Sequence, residues 1–217
     1  MRAFWFSYLL LISLSGFSQP SLKKDLGIDK LILKDLFLRH WASTIPAFNL
    51  EDFSYIDQTA FEDIGCRSFN PGSKTNKAYL ELYRPLLSYN PARSFFLDYY
   101  SDEISLSHSR QKDKWHININ RSVDQTLLLA DLKGNTICRI AFMGSSGRLE
   151  EAAWISDTVF VAVGTIYDGQ SFQPFIYVSD TRKRQTLHYQ ANSKVHYRKQ
   201  KYISPKWSRV NVDPAEL

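Results

Sequence analysis

The sequence predicts a mainly β fold with an N-terminal helix, arranged as two antiparallel sheets, and three observations lead there. A strand, an Asp-led turn and a return strand occur twice, around Asp131 and around Asp180. Aromatic residues make up 14% of the chain and gather in short runs whose apolar positions alternate, the pattern of strands that bury one face. A single stretch near the start, from Asp29 to Trp41, carries helical spacing instead.

The first eighteen residues read as a leader. Arg2 precedes an apolar run from Ala3 to Ile12, and small residues at Gly16 and Ser18 complete the pattern of a secretory signal peptide cleaved after Ser18. The run falls short of the roughly 20 apolar residues that span a bilayer, and no later segment approaches that length, so no transmembrane segment is expected after signal removal. No cysteine follows the run, which argues against a lipid anchor. The expected location is exported, either periplasmic or extracellular. About 200 residues then remain, enough for one domain with an extension.

Residues 19–78 read as a helical and loop extension. Asp29 caps a helix with Leu31, Ile32, Leu36 and Trp41 on its apolar side and Lys30, Lys34, Asp35 and Arg39 on the other. Leu33, Phe37 and Leu38 widen the apolar stripe, so this helix is expected to pack on a sheet, and Pro46 ends it. An acidic turn follows at Glu51-Asp52, and Asn70-Pro71-Gly72-Ser73 is a strong turn signal.

Residues 79–190 read as β. A turn at Tyr89–Arg93 leads the aromatic strand Ser94–Tyr100, a polar loop spans Ser107–Lys114, and Trp115–Ile119 alternates in the strand manner. Strand Leu127–Asp131, turn Leu132–Asn135 and strand Thr136–Phe142 form the first Asp-turn unit. Phe175–Asp180, Thr181–Arg184 and Gln185–Tyr189 form the second. An aromatic-led strand region precedes each, Tyr89–Tyr100 and Trp154–Gly164, so the repeat has about four strands. Asp131 and Asp180 are expected to bond to their own turns, a structural role.

This layout resembles the blades of β-propeller proteins of the WD-repeat or periplasmic propeller-repeat kind, in which an aromatic and Asp turn leads an apolar strand and a later strand ends in Asp. Asp131 and Asp180 match the Asp after the third strand, and Trp154 with Asp157 matches the opening turn, within Leu86 to Tyr189. Propellers close with four to eight blades, and this chain has length for about two. The resemblance therefore implies two blade-like antiparallel sheets, as an incomplete propeller or a sandwich-like packing, or chains that associate to complete them.

The chain carries 27 Lys and Arg against 22 Asp and Glu, and the excess is local. None of the acids falls between Thr181 and Val212, a stretch that holds Arg182, Lys183, Arg184, Lys194, Arg198, Lys199, Lys201, Lys206 and Arg209. In an exported protein this asymmetry suits an anionic glycan, lipopolysaccharide or an acidic protein ahead of nucleic acid. Within the basic C-terminal segment, residues 191–217, aromatic and cationic groups interleave. Arg198, Lys199, Lys201, Tyr202 and Trp207 are the candidate ligand-binding residues. A solvated basic face without a ligand is the competing reading.

Two cysteines, Cys66 and Cys138, allow one disulfide; the alternative is a buried free thiol at Cys138, inside a strand-like run. No metal, cofactor or nucleophile motif is present. Gly144-Ser145-Ser146-Gly147 lacks the five-residue elbow spacing and reads as a loop. His40, His108, His116, His188 and His196 are scattered with no metal-pair spacing. The carboxylates Asp98, Asp102, Glu103, Glu150 and Glu151 suit a hydrolase only if the fold brings two of them across a cleft. The expected function is thus a non-catalytic binding or envelope-associated module. A secreted hydrolase using loop carboxylates and a protein-interaction module completed by oligomerisation are the alternatives.

Overall fold

Alternating apolar residues bounded by Asp, Asn and Ser turns fold this chain into two five-stranded antiparallel sheets. The computed structural model describes Leu22 and residues 27–109, 114–119 and 124–210; the predicted leader lies outside the described residues, and His108 and His116 are described in backbone only. Two helices, α1 (Ile28–Lys34) and α2 (Leu36–Ser43), lead into β1 (Phe53–Ala60), a short α3 (Phe61–Ile64), β2 (Cys66–Ser68) and α4 (Lys74–Tyr83). The strands β3 (Ser88–Tyr89), β4 (Phe95–Asp98), β7 (Gln125–Asp131) and β8 (Thr136–Met143) form one meander. A second runs through β9 (Gly147–Trp154), β10 (Val159–Tyr167), β11 (Phe172–Asp180) and β12 (Gln185–Ala191). Between β4 and β7 the hairpin β5 (Ile104–Ser109) and β6 (Lys114–Ile119) stands as a separate two-stranded sheet.

The repeat seen in the sequence is a repeat in space. Sheet order is β1-β12-β11-β10-β9 in one and β2-β8-β7-β4-β3 in the other, so each meander gains a fifth strand from the N-terminal region. Oδ1 of Asp131 accepts from the amides of Lys133 and Gly134, and Oδ1 of Asp180 accepts from those of Arg182 and Lys183. Both turns end in a left-handed residue, Asn135 at φ 53° and Arg184 at φ 54°. The correspondence extends to the fifth strands: Phe61 N donates to Arg184 O, and Phe69 N donates to Asn135 O.

Three apolar layers hold the sheets. Leu97, Leu127, Leu129 and Ile140 of one sheet meet Leu149, Phe160, Ala162 and Phe175 of the other in the largest core. Along β10, Phe160 and Ala162 face this interior, while Val161 and Val163 face outward onto Ile28, Ile32, Leu38 and Trp41 of the N-terminal helices. The far face of the second sheet, with Phe96, Ala130 and Ile137, is covered by Tyr79, Leu80 and Tyr83 of α4. The architecture is a sandwich with a helix on each outer face. It does not close into a barrel.

Several sequence expectations change. The N-terminal helix breaks at Asp35, whose extended backbone and side chain cap α2 through the amides of Phe37 and Leu38, so Asp35 takes the capping role expected of Asp29. Leu36 consequently points to solvent at 58% exposure. The stretch from Tyr79 onward begins as helix, because Ser73 accepts from Asn76 N and starts α4. The boundary at residue 78 does not separate an extension from the β region, since β1 and β2 belong to the two sheets. Strand β5 runs through Ser109 into what reads as a loop. Cys66 stands directly opposite Cys138 in the β2–β8 ladder and is joined to it in a disulfide, a closure of a long loop that stabilises by about 4 kcal/mol on a chain-entropy argument. Among the described residues no helix is long and apolar enough to cross a membrane.

His188 on β12 packs edge-on against Phe175 and Tyr177, within 3.5 Å of Asp57, and its buried Nε2 has no protein partner. Burial holds its pKa below 6.5 against the opposing pull of Asp57, and burial likewise pushes the Tyr177 phenol up to about 12. A depressed histidine pKa means the unfolded chain takes up a proton that the fold refuses. Stability is therefore full above pH 6.5 and is expected to fall as pH drops through the folded-state value. Urea unfolding between pH 7.5 and 5 should show this loss, and His188→Gln should flatten it.

Candidate functional site

A β-bulge decides where the chain's most unusual side chains go. In the β9–β10 ladder Glu151 stands opposite Val163 and Leu149 opposite Gly164, which leaves Glu150 as an extra residue on β9. Successive strand residues normally face opposite ways, yet here both glutamates are buried and both meet partners from the C-terminal segment. Gly164 permits the close approach: a Cβ there would lie 2.0 Å from Arg148 O and 2.6 Å from Phe175 Cζ.

Each carboxylate is saturated by its own set of donors. Glu150 accepts from Arg198 on both oxygens, from Trp41 Nε1 at 2.8 Å and from Thr165 Oγ1 at 2.9 Å. Glu151 accepts from Tyr202 Oη at 2.9 Å, from Ser204 Oγ and from Tyr99 Oη at 3.2 Å, with Lys206 Nζ 3.0 Å away. Burial raises the Glu150 pKa, and the charge and hydrogen bonds of Arg198 oppose that shift. Burial, followed by the charge of Glu151, lifts the Tyr99 and Tyr202 phenols well above their ordinary range, so both remain neutral donors.

These pairs pin the C-terminal segment to the outer face of the first sheet. His196 adds a clasp, with Nδ1 3.1 Å from Pro46 O and Nε2 3.0 Å from Asp52. Trp207 stacks edge-on with Tyr100 at 4.9 Å. Arg198, Tyr202 and Trp207, all expected at a ligand surface, are instead buried at 4%, 6% and 5% exposure. The correction has a simple cause: the two acids of β9 fold beneath a segment that has none of its own. Arg184 likewise pairs with Glu62.

What remains open is a groove of about 740 Å³ between the C-terminal end of α2 and residues 194–203. Exposed Lys194, Lys199 and Lys201 line it with His40, half-buried Tyr197 and the edge of Tyr202; no acidic side chain is among its lining residues. Arg198 contributes to the wall, and its buried Nε finds no protein acceptor. Asp168 lies close enough to feel Lys194, and Glu103 to feel Lys201, so acids sit beyond the groove at two points.

The carboxylates considered for hydrolysis are placed differently. Asp98 is buried and accepts from Tyr79, Ser101 and the Tyr100 amide. Glu103 pairs with Arg148, and Asp102 lines a separate cavity beside Arg67 and Arg139. Among the described residues no group of His, Cys, Asp and Glu has the arrangement of a metal site. Sequence reasoning missed Trp41, Thr165 and Lys206 as parts of one cluster; the available signal was the paired Glu150-Glu151 set between Leu149 and Ala152-Ala153 in a strand. The chain matches no protein family, no curated protein and no solved structure.

Three variants test this cluster. Glu150→Gln leaves a buried guanidinium without its counter-charge and should cost about 3–5 kcal/mol in urea unfolding. The double replacement Glu150→Leu with Arg198→Met should cost less than either single change, because no charge is left stranded. Gly164→Ala places a methyl group against backbone and should destabilise by about 1–3 kcal/mol, lowering Tm by several degrees.

Proposed function

We propose that this is an exported, non-catalytic binding module whose basic groove takes an anionic ligand, such as a sulfated or phosphorylated glycan. The observation that carries the reading is the groove itself: three exposed lysines converge on an acid-free wall where Tyr197 and His40 offer ring surface. Ammonium groups attract sulfate, phosphate or carboxylate, while aromatic faces accept the apolar face of a sugar ring. The burial of Asp98, Glu150 and Glu151 in internal hydrogen bonds favours binding over hydrolysis, since a general acid or base must reach the substrate. The leader pattern supports export, and the disulfide between Cys66 and Cys138 is compatible with an oxidising compartment.

Binding of this kind weakens with salt, because exposed charges are screened over about 8 Å at physiological ionic strength. Replacing Lys194, Lys199 and Lys201 together with Gln should move elution from a heparin column to clearly lower salt. Exposed substitutions of this type change stability by about 0.5 kcal/mol or less, so Tm should hold. Unchanged elution, or elution of the unmodified protein at the lowest salt applied, overturns the reading.

A further inference from the structure

The Cys66–Cys138 disulfide lies in surroundings that a structural staple does not require. Cys66 is exposed while Cys138 is buried at 4% exposure, so an incoming thiolate meets one sulfur before the other. A cavity of about 380 Å³ opens beside Cys66, lined by Arg67 and Arg139 with Asp102 as its acid. Across from it, the Arg184 guanidinium directs Nη2 at both sulfurs, 3.6 Å from Cys66 Sγ and 4.0 Å from Cys138 Sγ, while its Nε donates to Glu62. Arg184 reaches this point because it holds the left-handed position of the β11–β12 turn, whose carbonyl accepts from Phe61 N at the start of α3. Three arginines against two carboxylates make a partially exposed, electropositive setting, the kind that stabilises a thiolate.

We propose that this disulfide is a thiol–disulfide exchange site for a dithiol reductant. The dithiol's thiolate attacks Cys66 Sγ; a mixed disulfide forms, the Cys66–Cys138 bond breaks, and Cys138 leaves as a thiolate beside Arg184. The second thiol of the reductant, deprotonated, then attacks its own sulfur in the mixed disulfide, releasing Cys66 and a cyclic oxidised product. The dithiol gives up two electrons and two protons, and the cysteine pair gains both. Reduction also unties β2, a three-residue edge strand held to β8 by a short ladder.

The test uses dithiothreitol on the folded protein, with free thiols trapped by N-ethylmaleimide and counted by mass spectrometry. Reduction is expected to be first order in dithiothreitol and faster than global unfolding measured by urea-dependent kinetics. Arg184→Gln should slow it about 3- to 10-fold by removing stabilisation of the leaving thiolate. Arg184→Lys should restore the rate, and Glu62→Gln should raise it by freeing the guanidinium from its carboxylate. A reduction rate that is independent of dithiothreitol and equal to the unfolding rate overturns the proposal. So does an Arg184→Gln protein that is reduced as fast as the unmodified one.

Discussion

The bulge at Glu150 is the constraint on which the rest of the molecule turns. One extra residue opposite Gly164 places two consecutive carboxylates on the same side of an edge strand, where neither meets water. Two buried negative charges there would be intolerable alone, and the chain answers with Arg198 and Lys206 from its C-terminal segment. Because the cations sit on a segment without acids, the pairing is one-directional: the sheet supplies negative charge and the C-terminal segment supplies positive. The location of that segment, and so the shape of the lysine-lined groove, is set by an event inside strand β9.

The two sheets solve the same problem twice with different partners. Each is a four-strand meander extended by a strand from the N-terminal region, and each turns its outer apolar face to a helix. The inner faces differ in detail but join in one core, with Phe160 and Phe175 meeting Leu97 and Leu129. Asn90 links the opening turns of the two meanders, donating to Asp157 O while Asp157 accepts from Ala92 N. The halves are thus tied at one end by turn residues and in the middle by apolar packing.

Local rules made the hairpins readable, and long-range charge pairing hid the site. Asp131 and Asp180 bond to amides two and three residues onward, a contact written in adjacent sequence, and both turns form as the spacing implied. The helix Lys74–Tyr83 was obscured because Tyr79, Leu80 and Tyr83 serve equally well as strand residues; only Ser73 as an N-cap marked it. The break at Asp35 was hidden in a continuous apolar stripe. Arg198 and Lys206 resemble the exposed Lys199 and Lys201 in every local respect, and what separates them is a carboxylate some fifty residues earlier. Net charge over a window does not contain that information. The run Leu149-Glu150-Glu151-Ala152-Ala153 does, once its flanking residues are recognised as core.

Strand β1 is synthesised well before β12, yet the two are hydrogen-bonded neighbours from Phe53–Ala191 to Ala60–Gln185. The sheet they share is complete only once residues 53–191 have all been made, and such distant pairings carry a loop-closure cost that slows folding. Until β12 emerges, β1 has no ladder to join, and Glu150 and Glu151 have no cations to meet. The other sheet, β2-β8-β7-β4-β3, draws only on residues 66–143 and has no such wait, so the two halves of the sandwich differ in when their hydrogen-bond ladders can close.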